Sequence, residues 1–114
     1  MPKSEFILKN LAEIPSVPTA HQIGLKKVIL NNQESYSNLT QIAITELQKK
    51  EKVEPHVHPT MDEHYLFISG EGVMCIDGKD VMCSPGVFLL IPATSVHSMQ
   101  AITDMKFLTI GVAL

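Results

Sequence analysis

What most limits the folds open to this chain is its punctuation. From residue 25 onward, short apolar-rich runs are cut by Gly, Pro and Asp at near-regular intervals. Gly70 and Gly72 stop one run, Asp77-Gly78 is a favoured hairpin turn, Pro85-Gly86 turns again, and Pro92 and Thr103-Asp104 end two more. Asp-Gly suits a hairpin because both residues tolerate positive φ. The runs between these breaks are residues 25–31, 39–47, 63–69, 73–77, 80–83, 87–91, 97–102 and 105–112. They are too short for helices and lack a helical period with caps. About eight or nine short strands with regular turns predict an all-β sandwich or barrel. Residues 48–55 are charged and end at Pro55, and are expected to form a loop.

One strand shows its two faces. In 39–47, Ile42 and Ile44 fall on one side and Gln41, Ala43 and Thr45 on the other. Period-two alternation marks a half-buried strand. Which side turns inward stays open, so Gln41 and Thr45 are candidate interior polar residues. Residues 1–20, with Pro15 and Pro18 bracketing an irregular stretch, are expected to form an N-terminal arm with one edge strand. Residues 21–114 then form a single barrel domain. At 114 residues and 45% apolar content, the chain can build one real core.

Charge excludes some partners. The net charge is −3, and the densest basic stretch, Lys49, Lys50 and Lys52, is interleaved with Glu51 and Glu54. Nucleic-acid binding needs a clustered basic face, which is absent. The apolar run Phe6-Ile7-Leu8 is too short for the core of a secretory signal, and nothing approaches the ~18 apolar residues of a membrane span. A cytoplasmic location and no membrane partner are expected. Cys75 and Cys83 are too few for a disulfide framework and do not form Cys-x-x-Cys, so reduced thiols in or near the core are expected.

The chemistry lies in Pro55-His56-Val57-His58-Pro59-Thr60-Met61-Asp62-Glu63-His64-Tyr65-Leu66-Phe67. Residues two apart on an extended strand point the same way, so His56 and His58 project together. The short turn 59–62 brings Glu63 back beside them. His97 lies 34 residues further on and joins only if a barrel brings its strand alongside. Imidazole nitrogen and carboxylate oxygen suit divalent Fe, Mn, Ni, Cu or Zn. Three nitrogens and one oxygen leave coordination positions open, as a catalytic site requires. Without Glu63 and His97, two histidines ending a charged loop would read as surface residues.

The same residues resemble the cupins. Their first motif is Gly, five residues, His-x-His, three or four residues, Glu, six residues, Gly. Here His56, His58, Glu63 and Gly70 fit it, with Lys50 at the opening Gly. The second motif is Gly, five residues, Pro-x-Gly, two residues, His, three residues, Asn. Gly86, Pro92 and His97 fit, while Thr94 replaces the middle Gly and Ala101 the final Asn. The two motifs occur in order, with 15 residues between Gly70 and Gly86. The resemblance implies a double-stranded β-helix, or jelly-roll barrel, with one divalent metal ion on His56, His58, Glu63 and His97. It also implies a homodimer and a small-molecule ligand. The implied activity is a metal-dependent enzyme of isomerase, lyase, cyclase or dioxygenase type, or else a binding module for a sugar or organic acid.

Other residues follow from strand parity. Tyr65 and Phe67 share the face of Glu63, and Met99 and Ala101 share that of His97. Each either lines the cavity or packs the core. Tyr65 is the expected catalytic proton donor. Met61 can reach the cavity mouth. His64 is sent outward, and His21, without a neighbour in sequence, reads as a surface or core-edge histidine.

Overall fold

A computed structural model describes residues 6–114; the first five residues of the N-terminal arm lie outside the described residues. Ten strands run in chain order: β1 Val17–Pro18, β2 Leu25–Asn31, β3 Leu39–Leu47, β4 Lys52–His56, β5 Met61–Ser69, β6 Gly72–Ile76, β7 Lys79–Cys83, β8 Phe88–Ile91, β9 His97–Ala101 and β10 Met105–Ala113. They form a six-stranded sheet, β1-β2-β3-β10-β5-β8, and a four-stranded sheet, β4-β9-β6-β7. All pairings are antiparallel. Consecutive strands repeatedly cross from one sheet to the other, which makes a jelly-roll barrel, all-β as the punctuation predicts and of the kind the resemblance implies. No helix among the described residues is long and apolar enough to cross a membrane.

The inward rows follow from register. Leu47, Thr45 and Ala43 of β3 face the core, and Phe107 of β10 and Phe67 of β5 continue the row begun by Thr45. At the centre, Tyr65, Phe67 and Phe107 pack with ring centroids 5.6–5.9 Å apart. Met74, Met99 and Cys83 of the four-stranded sheet, Ile91 of the edge strand β8 and Met105 of β10 complete the core. Cys83 and Cys75 are free thiols, and burial pushes the Cys83 thiol up to about 11, so it packs as a small apolar residue.

The arm lies along β2. Val17 and Pro18 pair with Lys26 and Leu25. Lys9 pairs with Glu34 at 2.8 Å, and Lys27 donates to the Leu11 carbonyl at 3.1 Å.

One expectation fails. Residues 48–55 are not all loop, because 52–56 form β4, with Pro55 inside it. The reason is position. β4 is an edge strand, and its register with β9 slips between Val53 and His56. Pro55 therefore withholds no ladder hydrogen bond, the one setting a sheet tolerates. Val53 turns inward at 8% exposure while the flanking charges face solvent.

The departures at Lys50 and Thr94 keep the backbone a glycine would adopt. Their φ angles are both +74°. Each backbone N–H is anchored, Lys50 to the Ala101 carbonyl and Thr94 to the His58 carbonyl, both at 2.9 Å. A β-branched residue in this region carries strain of ~1–3 kcal/mol. Thr94→Gly is therefore expected to stabilise the protein by about 1 kcal/mol, net of glycine's greater unfolded entropy. A urea midpoint that stays put or falls would show that the strain is relieved elsewhere.

Candidate metal centre

Each putting of a ligand in place has a local cause. β4 delivers His56 at its end, and His58 follows on the same side, with ring centroids 5.0 Å apart. β9 lies between β4 and β6, and pairs His97 directly with His56, ring to ring at 4.2 Å. Glu63 comes from β5 in the opposite sheet. The cluster therefore sits between the sheets. Two loops are tied so that it holds its shape. The Asp62 carboxylate accepts from the Ala93 N–H, and the Asp77 carboxylate accepts from the Val96 N–H, each at 2.9 Å.

The ligand atoms of His56, His58, Glu63 and His97 all lie within 4.8 Å of one another. His56 Nδ1 sits 2.9 Å from the Glu54 carbonyl, and His97 Nδ1 3.0 Å from the Ser95 carbonyl. A carbonyl only accepts, so both Nδ1 atoms carry a proton, which leaves each Nε2 for the cluster, as a lone pair when the ring is neutral. His97 is 2% exposed, and its Nε2 is buried without a hydrogen-bond partner. The nearest charged atom, Glu63 Oε1, is 3.4 Å away, too long for a good hydrogen bond. A buried, orphaned imidazole nitrogen beside a carboxylate is costly unless something fills the gap. A divalent cation on this nitrogen and oxygen set fits it.

The electrostatics agree. Burial would raise the Glu63 pKa, but His97, the Tyr65 hydroxyl and His58 outweigh it and hold the carboxyl below its ordinary range. Burial would likewise lower His97, but Glu63 and the Ser95 carbonyl reverse this and raise it above 6.5. His56 is lowered, chiefly by burial, against the pull of the Glu54 carbonyl. The cluster thus offers a ready anion in Glu63 and, in His56, an imidazole biased toward its neutral form.

The cluster opens on a cavity of about 200 Å³. Tyr65, Met61, Met99, Gln41 and Thr45 line it. Phe67 and Ala101 do not, and pack the core at 1% and 2% exposure. The Tyr65 hydroxyl donates to Glu63 Oε1 at 2.6 Å. Burial, with the Glu63 charge, raises its pKa well above 10. His64 is outside, its Nδ1 2.9 Å from the Ile110 carbonyl.

Sequence reasoning missed His21. Its ring packs on His56 at 4.3 Å and lines the cavity. The turn that carries it is held by Thr19, whose hydroxyl donates to the Ile23 carbonyl at 2.6 Å, and by Gln22 and Gly24 at positive φ. Gly24 next to a strand was the available signal. It marks a tight turn but not what the turn lies against.

A jelly-roll barrel with a His/Glu cluster between its sheets defines a class of small β-barrel proteins able to hold a metal. The cupin-domain family model matches residues 43–111, and the chain belongs to that family. It is 32% identical over 59 residues to quercetin 2,3-dioxygenase of Bacillus subtilis, covering 52% of this chain and 18% of that one. It thus spans about a fifth of that relative's length. Its fold is similar to that of a predicted oxalate decarboxylase from Thermotoga maritima, with a TM-score of 0.87 and 22% identity, covering 95% of this chain and all of the other. It is also similar to ectoine synthase from P. lautus, with a TM-score of 0.83 and 17% identity, covering 95% of this chain and 78% of the other.

Proposed function

We propose that the chain is a metal-dependent enzyme acting on a small oxygenated molecule, by isomerase, lyase, cyclase or dioxygenase chemistry. The observation that carries this reading is the buried, unpartnered His97 Nε2 facing Glu63 at 3.4 Å. His56, His58, Glu63 and His97 would hold one divalent ion. Bound there, the ion would supply Lewis acidity toward a substrate oxygen, or oxygen activation if it is iron. The protein's share is orientation and exclusion of water. Tyr65 is proposed as the catalytic proton donor. Its hydroxyl donates to Glu63, so it first positions the carboxylate. Met61 and Met99 supply the apolar wall.

The test is elemental analysis of untagged protein beside the His56→Ala/His58→Ala pair. Near one equivalent in the parent and little in the variant is expected. Small exogenous ligands or oxygen should then perturb the metal's spectrum, and Tyr65→Phe should keep the metal while losing ~10²-fold or more of any turnover found. A parent that takes up none of the divalent ions would sink the reading.

Proton competition gives the pH dependence. His97 has a raised pKa, so in metal-free protein its proton persists above 6.5. A metal must displace it. Glu63, held low, stays ionised throughout. Metal affinity is therefore expected to rise with pH through and above 6.5 and to fall in acid. Calorimetry in buffers of different ionisation enthalpy should show proton release near pH 7 that vanishes at higher pH. Uptake that strengthens in acid would contradict the assigned ligands.

The proposal extends to a cytoplasmic homodimer, with residues 1–20 as an arm on one barrel domain. Two free thiols fit a reducing compartment. Leu66, Ile68, Phe88 and Leu90 are exposed on the outer face of β5 and its edge partner β8, Phe88 at 60%. A second copy of the same face would cover them. Phe88→Asp is expected to shift the sedimentation of micromolar protein from dimer to monomer. A wild-type monomer under those conditions would defeat the dimer.

A further inference from the structure

The cavity holds one positive side chain that the metal centre does not use. Lys26 of β2 lines it, on the inward row that runs through Thr45 and Phe107. The chain has no arginine, so anion recognition here falls to lysine. Lys26 Nζ donates to Gln41 Oε1 at 3.3 Å. An ammonium has three donor protons, so two remain for another partner. Among the described residues no carboxylate pairs with Lys26, while Lys9 and Lys106 each have one. Lys26 is half-buried in the cavity wall, and a partly buried ammonium without a counter-charge favours a ligand that supplies one. With a divalent ion on Glu63 and the three imidazoles, the cavity would carry excess positive charge.

We infer that Lys26, held by Gln41, is the carboxylate anchor of this cavity, and that its ligand is a small oxo- or hydroxy-acid whose oxygen turns toward His56, His58, Glu63 and His97. This rests on the proposed metal centre and adds the substrate class. One ammonium and one amide match a monovalent carboxylate, whereas a phosphate dianion would need more donors than these two supply. The cavity, at about 200 Å³, is below the usual range for drug-sized ligands and suits a small acid. Thr45 and Thr109 line it with hydroxyls for further oxygens.

The test uses metal-loaded full-length protein at fixed ionic strength. Lactate and malate are titrated by calorimetry, each beside its uncharged amide, into the wild type, Lys26→Met and Lys26→Arg, with metal content measured on every sample. The wild type is expected to prefer acid to amide at least tenfold. Lys26→Met should lose most of that preference at unchanged metal content and unchanged amide affinity, and Lys26→Arg should recover part of it. Equal binding of acid and amide, failure of both acids to bind, or a Lys26→Met variant that keeps the preference would overturn the assignment while leaving the metal reading standing. A wild type without metal would remove both, and the metal analysis tells the two failures apart.

Discussion

His97→Ala is expected to lower metal affinity by at least ~100-fold and to bring the metal content of purified protein close to zero. Loss of partners one shell beyond a metal already costs ~10–100-fold, and His97 would be a direct ligand. Its Nε2 is buried, without a hydrogen-bond partner and 3.4 Å from Glu63 Oε1. The variant removes that nitrogen and takes from the Ser95 carbonyl its imidazole partner. The metal-free fold should change little by comparison. The two effects separate in thermal melts. Metal at ~100 times its dissociation constant stabilises a protein by about 2.7 kcal/mol. The wild type should gain that increment and His97→Ala should gain none. One equivalent of metal held by the variant at the wild-type affinity would remove His97 from the ligand set.

The second large effect lies beneath the site. Phe67→Ala is expected to cost about 3–5 kcal/mol, a large part of the ~5–15 kcal/mol that holds a typical domain folded. Phe67 is 1% exposed, stacks nearly parallel to Tyr65 at 5.9 Å, and meets Phe107 at 5.6 Å. Its backbone also ties β5 to the turn before β8, accepting from the Gly86 N–H and donating to the Val87 carbonyl. The packing around it is made of other large, fixed side chains, so the cavity left by alanine would not collapse. Tyr65 would lose its support, and with it the hydroxyl that holds Glu63. Met82→Ala on the exposed side of β7, at 60% exposure, should stay within about 0.5 kcal/mol. Urea unfolding of both metal-free variants checks the contrast. A loss under about 1 kcal/mol for Phe67→Ala would mean the aromatic cluster is not the keystone of the core.

The proposed function and the anchor at Lys26 divide the cavity between two chemistries. In the proposed complex the cluster from β4, β5 and β9 would face a bound oxygen, and Lys26 of β2 and Gln41 of β3 the rest of the ligand. Several inward positions of β3 and β10 between them are small or hydroxylated, Ala43, Thr45, Thr109 and Gly111. A Cβ at Gly111 would crowd the Thr40 hydroxyl and the Met61 sulfur, so those side chains would have to shift.

Much of this was legible in residues close in sequence. The His56-x-His58 spacing puts two imidazoles on one side because a strand alternates, and Asp77-Gly78 and Pro85-Gly86 mark turns because of their own φ preferences. Residue types alone named a nitrogen and oxygen site without thiolate. Tertiary structure decided the rest. Only closure of two sheets joins Glu63 of one to His97 of the other, folds the turn bearing His21 onto His56, and turns Lys26 and Gln41 inward. Only the edge position of β4 makes a strand of a charged segment containing Pro55. Local alternation tells a side chain which of two faces it shares with its neighbours. It does not say which face is covered, or by which strand, because that is set by pairings between residues tens of positions apart.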